Sequence, residues 1–280
     1  MTLDEARDYC RRLARGHYEN FTVVSWLFPR RLHQHLANVY AYCRWADDLA
    51  DEVGDQAQSL RLLDWWESQL DAMYAGETRH PVFVAISQTV REFGLSRQPL
   101  ADLLVAFRRD QVQTRYKTLA NLLSYCEKSA NPVGRVVLCL GRAETDENIV
   151  CSDSICTALQ LANFCQDVRR DWERGRIYLP QADCFQHGWD ESRFVEGRCN
   201  DNFRNLLRPL VEDAERRLDF GEPLADRVPQ ELRLPVRSFV AGGRAILAAI
   251  RRERYDVWSS RPTVGRLSKL ALLAQAWWSG

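Results

Sequence analysis

The amino-acid sequence predicts an all-α fold, and three observations predict it. Apolar residues recur with a period close to 3.6 almost everywhere, whereas period-2 alternation is hard to find. Glycine and proline fall where helical runs should stop. The composition, 46% hydrophobic and 27% charged, is that of an ordinary globular chain, and 14 Gly and 10 Pro are too few for a fibrous or disordered one. The helices follow in order. An amphipathic, acidic opening, MTLDEARDYCRR, gives helix 3–17. Pro29 precedes helix 32–54, and Gly54 ends it. Helix 58–74 stops before Gly76, helix 81–94 closes on Gly94, and helix 98–112 follows. Helix 118–140 ends at Gly141 and carries Ala130-Asn131-Pro132-Val133-Gly134 inside it, where proline removes a backbone bond and bends the run. Helix 148–173 stops before Gly175 and Pro180. Segment 174–190 has no helical period and reads as a loop. Helix 201–221 is followed by Pro223, and Pro262 separates helix 230–257 from helix 263–278.

The chain has 280 residues with no internal repeat, low-complexity tract or long linker, so it reads as a single domain, 1–280. Lys+Arg and Asp+Glu are both 38, and a chain of zero net charge is not expected to bind nucleic acid in general. Only Lys117, Lys128 and Lys269 are lysines; the other cations are arginine, which suits bidentate contacts to phosphate but is also what a GC-rich genome produces. Nine cysteines without CxxC spacing read as reduced, mostly buried thiols. No apolar stretch approaches the roughly 18 residues needed to cross a bilayer, and the N-terminus lacks a signal-peptide core. A cytoplasmic protein is expected. The segment LSKLALLAQAWW is apolar on one side, which suits peripheral contact with the inner face of a membrane, or packing in a core or dimer.

Two constellations carry chemistry. In Tyr40-Ala-Tyr-Cys-Arg44-Trp-Ala-Asp47-Asp48-Leu-Ala-Asp51-Glu52, Asp47 and Asp51 share a helix face, and Asp48 and Glu52 form a second such pair. Each like-charge pair costs about 0.2–0.5 kcal/mol even in water, so the cluster calls for cations. Carboxylate oxygens are hard ligands suited to Mg²⁺, which takes one or two of them and completes its shell with water and phosphate oxygens. In Asn163-Phe-Cys-Gln-Asp167-Val-Arg-Arg-Asp171, Asn163, Asp167 and Asp171 lie on one stripe of an otherwise apolar helix. Arg169, Arg170, Arg174 and Arg176 crowd the same end. Alone, either set also has a reading as a charged helix terminus. Together they suggest a metal–diphosphate site across a helical cavity, where Mg²⁺ stabilises diphosphate as a leaving group and a carbocation results.

On these residues the chain resembles the squalene/phytoene synthase family of head-to-head prenyl synthases. The matching stretches are YAYCRWADDLADE (40–52), ANPVGRVV (130–137), LANFCQDVRRDWERGRIYLP (161–180) and RYDVWSSRP (254–262). The resemblance implies an isoprenoid-synthase fold around a central cavity. It implies Mg²⁺ held by Asp47 and Asp51 on one wall and by Asn163, Asp167 and Asp171 on the other. It implies diphosphate contacts from Tyr40, Arg44 and Arg261, and a cavity role for Tyr125. HYENF (17–21), followed by SWLFPRR, resembles the bacterial hydroxysqualene synthase branch, where condensing members carry a Ser-rich stretch. Gly242-Gly243, where phytoene synthases often have a tyrosine, points the same way. That branch implies one substrate, presqualene diphosphate, ionised and captured by water without a reductant. The alternatives are a condensing synthase making presqualene diphosphate, dehydrosqualene or phytoene, and an assembly or interaction protein of the same fold.

The cation needs apolar and aromatic shielding, for which Phe21, Val24, Trp45, Leu138 and Phe164 are candidates, with plain core packing as their alternative use. His17, Tyr18, Glu19 and Asn20 are polar groups able to hold the water, or simply to cap a helix. Of these, His17, Asn20 and Phe21 are taken as substrate-binding. His33 and His35 with Arg30 and Arg31 read as a solvated cap, and His80 and His187 as loop residues without zinc spacing.

Overall fold

The computed structural model describes residues 1–16 and 27–264. His17, Tyr18, Glu19, Asn20, Phe21 and Val24 lie outside the described residues, as does most of the predicted helix 263–278. The described part is helical, as the period predicts. It begins with α1 (Leu3–Gly16), a 3₁₀ turn at Arg30–Leu32, α2 (His33–Asp51), α3 (Gln56–Tyr74), α4 (Pro81–Phe93) and α5 (Arg97–Val112). It continues with α6 (Leu119–Ser129), α7 (Asn131–Leu140), α8 (Asp146–Gln166) and α9 (Val168–Glu173). Two short helices follow, α10 (Gln181–Gln186) and α11 (Glu191–Glu196), then α12 (Asp201–Gly221), α13 (Leu224–Arg227) and α14 (Gln230–Arg252).

Local chemistry fixes most ends. Side chains of Asp55, Thr118, Thr145 and Asn200 accept the orphan N–H of the third residue onward, starting α3, α6, α8 and α12. Gly94 closes α4 in the left-handed conformation, φ 69°. The run predicted as 118–140 is two helices, because Pro132 in the first turn of α7 cannot continue α6 and Ala130 takes φ −115° between them. The run 148–173 also breaks, at Asp167, whose φ −104° and ψ 15° separate α8 from α9. Helix 230–257 stops at Arg252, where Arg254 and Tyr255 turn the chain with positive φ. The segment expected as a loop contains α10; one and a half turns are too short to show a period.

α8 is the central element. Its buried residues, including Cys151, Ile155, Ala158, Leu161, Ala162 and Phe164, point in several directions, which is the pattern of a helix enclosed by neighbours. α12 lies along it, α7 and α14 pack on other sides, and α6 touches it as well. On the far side α2 packs against α1, α3, α4 and α5. There Trp45, expected at the cavity, is instead core: it stacks on Trp66 at 5.5 Å and donates its indole N–H to Tyr9 Oη at 2.8 Å. His80 caps α4 from within this aromatic cluster, and burial pushes its pKa down to about 4. His35 is also buried, against Thr89 and Phe93, rather than solvated. The nine cysteines are all free thiols. No helix among the described residues is long and apolar enough to cross a membrane.

Candidate functional site

One stretch of backbone pairing positions the site. Residues 114–117, between α5 and α6, run beside 177–182. Ile177 N–H donates to Thr114 O (2.9 Å), Gln181 N–H to Tyr116 O (2.8 Å) and Ala182 N–H to Lys117 O (3.0 Å). Ile177, Tyr178 and Leu179 are thereby buried. The pairing seats Arg176 against α2, where its guanidinium meets Asp51 Oδ1 at 3.1 Å. Tyr178 is laid flat on Phe164 of α8, with ring centroids 3.9 Å apart and 11° between planes. Phe164 is therefore one face of an aromatic group with Tyr178, Tyr125 and Tyr116.

On α2, Arg44 is the hub of the first acidic set. It meets Asp47 at 3.2 Å and Glu52 at 3.0 Å and also pairs with Asp48. Tyr40 lies one turn earlier, its pKa raised by burial and lowered by the charge of Arg44. Asp47 has its pKa raised, first by burial and then by the charge of Asp51. The second set sits where α8 gives way to α9. Asn163 Nδ2 donates to Asp167 Oδ2 at 3.0 Å. Arg261, close behind α14 in sequence, grips Asp167 through two nitrogens, Nε to Oδ1 at 2.6 Å and Nη2 to Oδ2 at 2.8 Å, and reaches Gln166 Oε1 at 2.8 Å. The break at Asp167 preserves the spacing, because Asp171 N–H still donates to Asp167 O. Asp171 is pushed up to about 7, by burial first and by Asp167 second.

The two sets share a cation. Arg176 acts electrostatically on Asp47, on Asp171 and on a third carboxyl, Asp110 of α5. Asp110 is a residue that the sequence reading missed. Its Oδ2 accepts from the Tyr125 hydroxyl at 2.8 Å, and its Oδ1 is buried without a hydrogen-bond partner. Burial raises its pKa to about 6, with Asp51 and Asp47 adding to the rise. The Tyr125 hydroxyl is thus held by Asp110 at the edge of the acidic group. In the sequence Asp110 looks like any charged helix end, and only the pairing of 114–117 with 177–182 draws it in.

Among the described residues no three His, Cys, Asp or Glu side chains gather closely enough to hold a metal ion by themselves. The five residues expected to hold Mg²⁺ stand as two separate oxygen-donor groups, Asp47 with Asp51 and Asn163 with Asp167 and Asp171. That donor chemistry fits a hard cation that takes one or two carboxylates and completes its shell elsewhere. The orphaned Asp110 oxygen and the raised pKa of Asp47 mark an excess of negative charge that a cation would relieve.

Beside the polar group lies an apolar cavity of about 280 Å³. Its wall includes Val133, Val137 and Leu138 of α7, Ile155 and Leu159 of α8, and Phe239 of α14. Leu138 is thus at the cavity as expected. Gly134 lets α7 and α8 approach: a Cβ there would stand 2.3 Å from Ser152 Oγ and 2.6 Å from Cys156 Sγ. Gly243 does the same for α14, where a Cβ would meet Leu159 Cδ2 at 2.8 Å. Leu159 is one helical turn from Asn163, so cavity and polar group adjoin along α8.

Comparison with known proteins gives the class of this arrangement first. The fold is the all-α isoprenoid-synthase fold. A crystal structure of squalene synthase HpnC from Alicyclobacillus acidocaldarius superposes with a TM-score of 0.86 at 42% identity, covering 90% of this chain and 95% of that one. A dehydrosqualene synthase solved in complex with ligand gives 0.87 at 25% identity, covering 99% and 97%. In sequence, phytoene synthase of Arthrospira platensis is 30% identical, covering 98% of this chain and 93% of that protein. Residues 14–268 match the profile of the squalene/phytoene synthase family, and the chain belongs to that family.

Proposed function

We propose that this protein is a hydroxysqualene synthase, converting presqualene diphosphate and water to hydroxysqualene and diphosphate. The observation that carries this reading is the polar end of the cavity: two acidic groups, from α2 and from the α8–α9 junction, both facing Arg176 beside an apolar hollow. Tyr40, Arg44 and Arg261 would bind the departing diphosphate and orient it. Mg²⁺, held by Asp47 and Asp51 on one side and by Asn163, Asp167 and Asp171 on the other, would neutralise charge on the leaving group. The carbocation left behind is shielded by the apolar wall and by the Phe164–Tyr178 stack, until water captures it. Identity of 42% with squalene synthase HpnC, against 30% with the Arthrospira phytoene synthase, supports a C30 skeleton. HYENF at 17–21 supports the water-capturing branch. The setting is cytoplasmic, with peripheral contact at the inner face of the membrane.

Purified protein supplied with presqualene diphosphate and Mg²⁺, and no reduced nicotinamide, should release diphosphate and hydroxysqualene; unreacted substrate would overturn the reading. The match to phytoene synthases favours one second reading, a condensing synthase. Farnesyl or geranylgeranyl diphosphate alone distinguishes the two, since a hydroxysqualene synthase should make no product from either.

A further inference from the structure

We propose that Ser129 positions the water that captures the carbocation, an inference resting on the function just given. Among the described residues, the polar side chains on the cavity wall are few. Besides the thiol of Cys156 they are Ser129, Ser152 and Gln160. The Ser152 hydroxyl is engaged, donating to Cys156 Sγ in the tight contact that Gly134 permits. Gln160 is on α8 at the polar end, within one turn of Asn163, where the leaving group sits. Ser129 is different. Its Oγ is shut off from solvent and has no hydrogen-bond partner. A helical serine usually satisfies its hydroxyl on the carbonyl one turn back, and this one does not. A buried hydroxyl without a partner costs about 1–3 kcal/mol, so a group kept in that state in a greasy wall calls for a partner that the chain does not supply.

Position supports water as that partner. Ser129 follows Tyr125 by four residues, so it lies on the same face of α6 about 6 Å further along the helix. Tyr125 itself is fixed at the acidic edge by Asp110. Ser129 is therefore one turn along α6 from the hydroxyl held at the acidic edge, and it lines the cavity with Val133 and Val137 of α7, where we place the cationic carbons. A single hydroxyl there can accept from or donate to one water while the surrounding methyl groups exclude others. The chemistry balances. The water oxygen gives an electron pair to the cationic carbon, a C–O bond forms, and the proton lost ends on the diphosphate already released. Ser129 gains and loses nothing; it is a positioning residue.

The test is product partition. With wild-type protein, Mg²⁺ and presqualene diphosphate, diphosphate release and the share of product that is alcohol are measured separately. Ser129→Ala should keep diphosphate release within about twofold and lower the ratio of hydroxysqualene to hydrocarbon by about tenfold, the worth of one hydrogen bond to a reactant. Ser129→Thr, which keeps a hydroxyl, should restore the ratio. An unchanged ratio in Ser129→Ala, or equal loss of release and alcohol in both variants, overturns the assignment while leaving the function standing. Wild-type protein that releases no diphosphate from presqualene diphosphate overturns the function, and this inference with it.

Discussion

The middle of α8 and its C-terminal end are built by opposite rules. Around Ile155 and Leu159 the helix faces a wall whose few polar groups are satisfied or solitary, and close packing at Gly134 sets its shape. From Asn163 to Asp167, and on into α9 at Asp171, it carries charge in excess, and Arg261, arriving from distant sequence, holds Asp167 in place. The difference teaches that the helix serves two successive demands. On the proposed function, the charged end would draw an anion away, while the apolar stretch would leave a cation alone. A residue moved from one end to the other would defeat its purpose, since a base near the hollow would deprotonate the cation.

The sharpest way to break this contrast is at the charged end. Asp47→Ala and Asp167→Ala should each lower turnover of presqualene diphosphate by about 10²–10³ or more, the loss typical of removing charge stabilisation from a leaving group. Circular dichroism should show the helices intact. Rates near wild type in either variant would remove that residue from the site and erase the distinction between the two ends.

At the apolar end the expected loss is of stability. Gly134→Val should destabilise the fold by about 1–3 kcal/mol, because Ser152 and Cys156 must be pushed away from α7. Denaturant midpoints measure it, and a neutral result would mean that α7 and α8 can separate freely. By contrast, Gly242→Ala should raise stability by about 0.5–1 kcal/mol, since among the described residues nothing lies within 4 Å of a Cβ there and the glycine only costs helix entropy.

Dependence on pH separates the ends again. Asp171, at about 7, and Asp110, at about 6, hold their protons more tightly folded than unfolded. Each therefore favours the folded state while protonated, and stability should fall as pH rises from about 4 through 6 and 7. Asp171→Asn should flatten that slope between pH 5 and 8, read as melting temperature against pH. Diphosphate with Mg²⁺ should raise the melting temperature in proportion to the logarithm of its concentration, and more at pH 8 than at pH 5. A slope unaffected by the substitution would show that Asp171 is not the group titrating.

The fold class and most helix positions were legible because apolar period and Gly/Pro punctuation are local signals. So were the acidic pairs, since a spacing of four survives even the break at Asp167. What was illegible depended on distance along the chain. Nothing in RRDQV marks Asp110, and nothing marks Arg176 as the partner of Asp51, 125 residues away. Trp45, adjacent to Arg44, was assigned to the cavity although neighbouring positions on a helix point apart; it stacks in the core beside Trp66. Ser129 gave no signal at all, because an unsatisfied hydroxyl is visible only when its surroundings are.

The short backbone staple between 114–117 and 177–182 has a consequence for sequence change. One stretch of chain delivers both Arg176 to the acidic groups and Tyr178 to the aromatic stack. A one-residue insertion or deletion in IYLP would misplace both at once. Changes to the hollow can leave this staple untouched, whereas the grip and the stack depend on it together.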